Sequence, residues 1–202
     1  MTTSSDDRPV GLRERKKART RAAIQNHALR LFMEQGYAAT TVEQIAEAAE
    51  VSQSTFFRYF PTKEETVLHD RFDPVLIDSF LRQPADVSPI AAFRAALADV
   101  FERVNSEESE LERARQQLVL TVPELRAMLI DQIVAGIEML DDAVAERVGR
   151  GRGDVNVRAW SGAVIGVVLT TYLAAVAEGA DFADLVGYVD RGLALLEDGL
   201  PL

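Results

Sequence analysis

Residues 40–63 read TTVEQIAEAAEVSQSTFFRYFPTK, and this stretch decides how the rest of the chain is interpreted. Thr41 begins a short predicted helix, because its hydroxyl can accept a hydrogen bond from an early helical N–H while Gln44 reaches back to the Thr41 amide. Ser52 is the predicted N-cap of a second short helix. The spacing therefore predicts two short helices separated by a tight turn.

The second predicted helix has two different faces. Phe56 and Phe60 lie four residues apart and are expected to point inward, and Pro61 ends the helix. The remaining side chains face outward, and most of them can form hydrogen bonds. Two short helices in this arrangement form a helix-turn-helix, a motif that places its second helix in the major groove of DNA.

The segments TTVEQIA and VSQSTFFRYFPTK closely resemble the DNA-binding domain of TetR-family transcriptional regulators, and the match covers about Arg13 to Leu68. The sequence departs from the family at two positions. Glu50 stands in the turn where many members have glycine, which costs about 1 kcal/mol if the backbone there is left-handed. Glu43 stands where many members have a basic residue, so we expect no base contact from the first helix of the motif.

The outward face of the second helix is predicted to contact DNA bases, because it resembles the base-facing positions of the family. Gln53 can pair with adenine and Arg58 with guanine, each worth about 1 to 3 kcal/mol of discrimination, and the Phe57 ring can meet a thymine methyl group. An ordinary solvent-exposed helix face is the alternative. The predicted base contacts are Gln53, Ser54, Phe57 and Arg58.

Phosphate contacts are predicted from two features of the sequence. Four residues match phosphate-contacting positions of the family: Thr41, Thr55, Tyr59 and Lys63. Thr41 can also be explained as a cap alone, and Tyr59 as a packing residue. Charge is the second feature, since residues 1–63 carry a net charge of +3 and residues 64–202 carry −13, within a total of −10. A basic arm attracts phosphate, although a solvated basic helix face gives the same pattern. The contacts expected from the arm and the first helix are Arg13, Lys16, Lys17 and Arg19.

Helical periodicity dominates the chain, and no segment shows sustained strand alternation. We predict an all-α protein of about nine helices, with an N-terminal helix-turn-helix domain and a C-terminal helical domain. The predicted divisions are a disordered arm at 1–12, the DNA-binding domain at 13–68, and an effector-binding and dimerisation domain at 69–202. One continuous helix is expected from about Glu124 to Val148.

Ala159 to Ala177 form an uncharged stretch of 19 residues, close to the roughly 20 needed to cross a bilayer. A membrane span is one interpretation, but small residues and a following amphipathic helix favour a helix that is covered inside a globular assembly. The family resemblance implies that two C-terminal helices of each subunit form a four-helix bundle in a dimer. The predicted dimer contacts are Gly162, Gly166, Leu185, Val189 and Leu193.

Residues between the two ends of the chain can line an effector cavity, since ligand sites in bundles lie between helices. Core packing is the alternative for each of them. Residues 12–17, LRERKK, and 113–126, RARQQLVLTVPELR, also look like actinobacterial members related to the mycofactocin-cluster regulator, whose C-terminal domains are associated with acyl-CoA-like ligands. The predicted effector contacts are Phe93, Phe101, Arg113, Gln117, Met128, Trp160 and Tyr172.

Other chemistry in the sequence is sparse. The chain has no cysteine and two distant histidines, so we predict no metal and no cofactor. Residues 149–153, GRGRG, lack the spacing of a dinucleotide fingerprint and read as an interhelix loop, with an accessory phosphate contact as the alternative. No nucleophile–base–acid set is present to support an enzyme. The N-terminus shows no secretory signal, which makes the cytoplasm the expected compartment.

These features together predict a homodimeric DNA-binding transcriptional regulator. We expect a repressor that a small hydrophobic or acyl-CoA-like effector releases from a palindromic operator. The alternative is a constitutive or partner-controlled DNA-binding dimer without a small-molecule switch.

Overall fold

The computed structural model describes residues 11–70, 72–102, 106–180 and 182–201. These residues contain eleven helices and no strand, which confirms the predicted all-α fold. The chain divides into two compact units between His69 and Asp70. Most of the predicted arm, residues 1–10, lies outside the described residues, and Leu12 already begins the first helix.

The first unit contains four helices: α1 (Leu12–Gln35), α2 (Val42–Ala48), α3 (Gln53–Tyr59) and α4 (Glu65–Leu68). The chain leaves α1 through Gly36, whose φ of 87° favours glycine. All four helices contribute apolar side chains to one core. These buried residues are Ile24, Ala28, Leu29, Phe32, Ile45, Ala46, Phe56, Phe60, Val67 and Leu68.

Local hydrogen bonds fix the start of α2. The Gln44 N–H donates to Thr41 Oγ1 at 3.2 Å, and the Thr41 N–H donates to Gln44 Oε1 at 2.9 Å, so the predicted capping box forms. The turn after α2 passes through Glu50, whose φ of 54° lies in the left-handed region. A non-glycine residue is strained in this conformation.

The second unit contains seven helices within its described residues: α5 (Asp73–Arg82), α6 (Pro89–Phe101), α7 (Ser106–Thr121), α8 (Pro123–Ala127), α9 (Leu129–Val148), α10 (Val155–Ala177) and α11 (Phe182–Glu197). The structure corrects the single helix expected from Glu124 to Val148. Met128 ends α8 with φ −88° and ψ −2°, and its N–H donates three residues back to the Leu125 carbonyl, so α9 begins anew at Leu129.

An aromatic cluster lies at the centre of the second unit. The ring centroids of Phe80, Phe93 and Trp160 are 6.0 to 6.4 Å apart, which joins α5, α6 and α10. Nearby, the Arg147 guanidinium of α9 lies over the Phe80 ring at 5.3 Å. It also donates to four backbone carbonyls where α5 turns into α6, those of Phe80, Gln83, Pro84 and Val87.

Helices α10 and α11 approach closely at Gly192. A Cβ at this position would lie 2.4 Å from Thr171 Cγ2 and 2.9 Å from Val167 Cγ1, so the contact requires glycine. Among the described residues, α10 is the one helix whose length and composition would also suit a membrane span, with mean hydropathy 1.7 over its best window.

Candidate DNA-binding surface

Helix α3 is held at its start by a side-chain cap and along one face by the core. Ser52 Oγ accepts a hydrogen bond from the Thr55 N–H at 3.1 Å. On the inner face, the Phe56 and Phe60 rings are 0% and 1% exposed, with centroids 6.1 Å apart. This burial fixes the rotation of the helix, so the opposite face of α3 is presented to solvent.

The four residues predicted to contact bases are all exposed on α3. The Phe57 side chain remains 50% exposed while its ring edge contacts Phe56 at a centroid distance of 5.4 Å. The Arg58 guanidinium lies 5.4 Å from the Tyr59 ring centroid, which favours a defined orientation of this long side chain. Ser54 Oγ is 2.9 Å from Ser52 Oγ, so its hydroxyl already has a local partner.

The residues predicted to contact phosphate flank this face, and several have structural partners. Thr41 is exposed beside its capping box, whereas Thr55 and Tyr59 are half-buried. Thr55 Oγ1 accepts from Ser52 Oγ at 3.0 Å, and the Tyr59 carbonyl accepts from Arg21 at 3.3 Å. The remaining four side chains are exposed near the start of α1 at helical spacing: Arg13, Lys16, Lys17 and Arg19.

Lys63 has a structural role that the sequence did not reveal. Its ammonium donates to the carbonyls of Tyr37 at 2.9 Å and Thr40 at 3.1 Å, and it lies 4.1 Å from the Tyr37 ring centroid. An ammonium has three N–H donors, so one further donor remains after these two bonds. Lys63 thereby ties the turn before α2 to the chain that follows α3.

The same turn is stabilised through Glu64. The Tyr37 hydroxyl donates to Glu64 Oε1 at 2.8 Å. Burial by itself raises the pKa of Glu64, but hydrogen bonds from its backbone, Tyr37 and Thr62, together with the Lys63 charge, bring the pKa below its ordinary value. Glu64 is therefore an anion that accepts a hydrogen bond from Tyr37 and is stabilised by the positive charge of Lys63.

Two polar residues of α1, Gln25 and Arg21, contact the end of α3 and the chain that follows it. The Gln25 side chain is 2% exposed, and its amide donates to the carbonyls of Thr66 at 3.1 Å and His69 at 2.7 Å. The Arg21 guanidinium lies 5.6 Å from the Phe60 ring centroid. The sequence contains one signal for this role of Gln25. It is a polar residue on the apolar face of α1, seven positions before the buried Phe32.

Two families of known proteins match this chain. The family described as bacterial regulatory proteins, tetR family, matches residues 24–69, which contain the helix-turn-helix. The family described as the MftR C-terminal domain matches residues 87–201, more than half of the chain. The chain belongs to the TetR family of transcriptional regulators.

Individual relatives agree with this assignment. The transcriptional regulator TcmR of Streptomyces glaucescens is 41% identical over 133 residues, which are 62% of this chain and 59% of TcmR. A protein described as a mycofactocin biosynthesis transcriptional regulator, MftR of Mycobacterium tuberculosis, is 28% identical over 160 residues, 78% of this chain and 80% of MftR. The alignment with TcmR thus spans less than two thirds of that relative.

A solved TetR-family structure extends the similarity to both units. The repressor FadR of Thermus thermophilus, in complex with lauroyl-CoA, is 26% identical with a TM-score of 0.54 and covers 90% of this chain and 95% of FadR. TetR-family proteins bind DNA, act as dimers and bind small-molecule ligands. The prediction of a transcriptional regulator rather than an enzyme is confirmed by this membership.

The predicted effector contacts of this TetR-family chain lie in different environments. Phe93 is 3% exposed and Trp160 packs on Phe80, so both belong to the aromatic core. Arg113 and Gln117 line a small cavity of about 100 Å³. The others are half-buried on separate helices or at their ends: Phe101, Met128 and Tyr172.

A buried charged cluster lies beside Tyr172. The Arg115 guanidinium donates to Asp70 Oδ2 at 2.9 Å and to Glu112, whose side chain is 6% exposed. Burial, followed by repulsion from Asp70, raises the pKa of Asp73 to about 7, although Arg115 opposes this shift. Burial also raises the pKa of the Tyr172 phenol. An anionic ligand would have to displace carboxylates that already neutralise Arg115.

The predicted dimer contacts fall into two groups. Apart from the adjoining backbone of α10 and the two neighbouring residues, no heavy atom of the described residues lies within 4 Å of a Cβ placed on Gly162 or Gly166, so α10 is open to another helix there. In contrast, Leu185, Val189 and Leu193 are only 0 to 6% exposed within their own unit. These side chains are already buried within their own unit, so their role in a dimer contact stays a prediction.

Proposed function

We propose that this chain is a cytoplasmic, homodimeric repressor that binds a palindromic operator and leaves it when a small hydrophobic or acyl-CoA-like effector binds. The observation that carries the proposal is the outward face of α3, where Gln53, Phe57 and Arg58 are exposed while Phe56 and Phe60 anchor the helix. The Gln53 amide and the Arg58 guanidinium can form hydrogen bonds with base edges in the major groove.

The proposed division of labour separates base contacts from phosphate contacts. Gln53, Ser54, Phe57 and Arg58 contact base edges and set the sequence preference. The hydroxyls and cations around them, including Thr41, Thr55, Tyr59 and Lys63, hold the duplex backbone, and the exposed basic start of α1 adds the salt-dependent part of the affinity.

Dimerisation doubles this surface and makes its spacing adjustable. Two recognition helices engage successive major grooves only when they are about 34 to 36 Å apart. An effector that binds better to dimers with a different spacing shifts the population away from DNA. To move the ratio from 1:99 to 99:1, the effector must prefer the released state by about 5.5 kcal/mol.

The proposed effector class rests on two similarities of the second unit. It matches the MftR C-terminal domain, and the similar FadR structure contains lauroyl-CoA. A thioester-linked acyl chain combines an apolar tail with an anionic nucleotide, and the second unit offers apolar helix faces with several arginines. We therefore place the switch in residues 69–202.

Selection of bound duplexes from a random library tests the DNA-binding part. We expect enrichment of a palindrome whose half-sites are about one helical turn apart, followed by release of that duplex on addition of lauroyl-CoA. Failure to enrich any duplex at low ionic strength would overturn the DNA-binding proposal. Enrichment without release, across saturating concentrations of acyl-CoA, would overturn only the effector class.

A second candidate is a DNA-binding dimer controlled by a protein partner or by nothing at all. The scattering of the predicted effector residues over core, surface and helix ends favours this candidate. A thermal-shift screen distinguishes the two, because a ligand that binds the folded dimer raises its unfolding temperature by mass action.

A further inference from the structure

The second unit contains a cavity of about 460 Å³ between α5 and α9. This volume lies within the roughly 300 to 1,000 Å³ typical of small-molecule sites. Its apolar surface comes from Ile77 and Leu81 of α5 and from Met139 and Ala143 of α9. None of the seven predicted effector contacts lines it.

Two guanidinium groups stand beside this apolar surface. Arg150 and Arg152 both line the cavity and belong to the GRGRG loop that joins α9 to α10. The loop begins at Gly149 with φ 66° and ends at Gly153 with φ 86°, conformations that favour glycine. The alternation of glycine and arginine thus has a structural explanation. The glycines allow a turn in which both arginines lie next to the cavity.

Each guanidinium has one carboxylate partner in the structure, half-buried Asp154 for Arg150 and exposed Asp142 for Arg152. The Arg150–Asp154 and Arg152–Asp142 pairs are both 3.0 Å long, and the two arginine side chains are 49% and 81% exposed. Exposed ion pairs of this kind contribute little to stability, so a ligand anion can replace them at small cost.

The two carboxylates also remain satisfied if the arginines turn to a ligand. Asp154 caps α10, because its Oδ1 accepts from the N–H groups of Asn156 and Val157. The Asp142 side chain is 51% exposed and can be solvated by water, as can the exposed Glu146, the other acidic residue that lines the cavity. The two guanidiniums, whose residues line the same cavity, can then bind a carboxylate or phosphate through charge-assisted hydrogen bonds.

We propose that this cavity binds an amphiphilic anion. Its alkyl or acyl chain lies on Ile77, Leu81 and Met139, and its carboxylate or phosphate head group contacts Arg150 and Arg152. The site goes beyond the proposed function, because it assigns a ligand to the α5–α9 cavity whichever molecule, if any, releases the operator.

The single tryptophan of the chain provides a direct readout. Trp160 stacks on Phe80 at 6.4 Å, and Phe80 lies on α5 between Ile77 and Leu81. The full-length protein is titrated below micelle-forming concentrations with decanoate, decyl phosphate, decanol and decyltrimethylammonium, and Trp160 fluorescence is followed. We expect saturable binding of an anion, at least about tenfold tighter than binding of the alcohol or the cation. The two anionic arms identify whether the head group is a carboxylate or a phosphate.

Three variants test the position of the site. The exposed double variant R150Q/R152Q should lower anion affinity at least about tenfold, whereas R126Q/R191Q, which removes two exposed charges elsewhere in the unit, should leave it unchanged. Asp142→Asn should raise anion affinity, because it frees Arg152 and removes a negative charge from the cavity.

Several results would overturn the proposal. They are absence of saturable binding with both anions, equal affinity for the anions and the cation, wild-type anion affinity in R150Q/R152Q, or weaker anion binding in Asp142→Asn. A loss of operator affinity in R150Q/R152Q with unchanged anion binding would instead make the loop a DNA contact. Failure of the acyl-CoA release test leaves these titrations interpretable, since they measure binding without DNA.

Discussion

Helices α3 and α10 each present an open face, but the two faces suit opposite kinds of partner. The face of α3 is short and displays hydrogen-bonding groups and a cation, with Phe57 as its exposed ring. The face of α10 runs along 23 residues and displays small and apolar side chains around Gly166. One face keeps its polar groups available to a hydrated duplex, and the other gains by excluding water.

The largest expected effect follows from blocking the face of α10. Gly166→Arg introduces a charge where the structure leaves open space, so the subunit should fold while the dimer separates. Operator affinity should then fall about 100-fold or more, because two half-sites no longer act together. Analytical ultracentrifugation and operator titration measure the two effects. Ala127→Arg, on the exposed surface of α8, should change neither, and a dimeric Gly166→Arg protein would contradict the proposed interface.

The face of α3 should respond differently to loss of a base contact and loss of a phosphate contact. Gln53→Ala should lower discrimination at one base pair of each half-site by about 1 to 3 kcal/mol. Lys63→Ala should weaken all duplexes about equally and reduce the salt slope by about 1 per subunit. A Lys63→Ala protein with an unchanged salt slope but lower stability would show that its bonds to the Tyr37 and Thr40 carbonyls are its whole role.

The buried charges of the second unit predict a pH dependence of stability. The pKa of Asp73 is about 7 in the folded protein, above the ordinary value of 3.8 for an aspartate. The folded state therefore binds the carboxyl proton more tightly than the unfolded state does. Its contribution to stability is therefore present at about pH 4 and lost as the pH rises to about 7. Asp73→Asn should raise the free energy of unfolding at pH 8 by on the order of 2 kcal/mol and have little effect at pH 4. Denaturant titrations at both pH values, with the exposed Asp78→Asn as control, test this expectation.

Two glycines of α11 give a matched test of how closely α10 and α11 pack. Gly192→Ala should lower the free energy of unfolding by about 1 to 3 kcal/mol, because its methyl group collides with Thr171 and Val167. Gly187→Ala meets only Arg191 Nη1 at 3.5 Å and should raise the free energy by about 0.5 to 1 kcal/mol. Similar effects of the two substitutions in urea titrations would contradict the close helix contact.

A small effect, below that of Gly192→Ala at its upper range, is expected in the turn of the helix-turn-helix. Glu50→Gly removes a non-glycine residue from the left-handed region and should stabilise the first unit by about 1 kcal/mol. Glu47→Gly, inside α2, should destabilise it by a similar amount because glycine disfavours helix. Melting temperatures of the two variants should therefore shift in opposite directions.

The sequence predicts the first unit well where structure depends on near neighbours. The caps at Thr41 and Ser52 and the inward side of Phe56 follow from spacings of three or four residues. The bonds from Lys63 to Tyr37 and Thr40 could not be predicted in this way, because they join residues more than twenty positions apart.

The second unit shows the limit of periodicity more clearly. The apolar spacing of Leu185, Val189 and Leu193 correctly indicates one buried helix face, but it does not reveal whether the cover is the same subunit or a partner. Their exposure of 0 to 6% within their own unit favours cover by the same subunit. Likewise, the sequence indicates only a loop at Arg150 and Arg152, whereas the structure shows that both residues line an apolar cavity between α5 and α9.

Arg147 has a consequence for how this protein can vary. All four of its hydrogen bonds end on main-chain oxygens where α5 turns into α6, so these bonds do not depend on which side chains occupy residues 83–87. In a saturation mutagenesis library selected for folding, the protein should therefore tolerate many replacements across that turn and almost none at position 147. The turn between α5 and α6 can therefore change in sequence while the Arg147 guanidinium keeps its backbone in the same conformation.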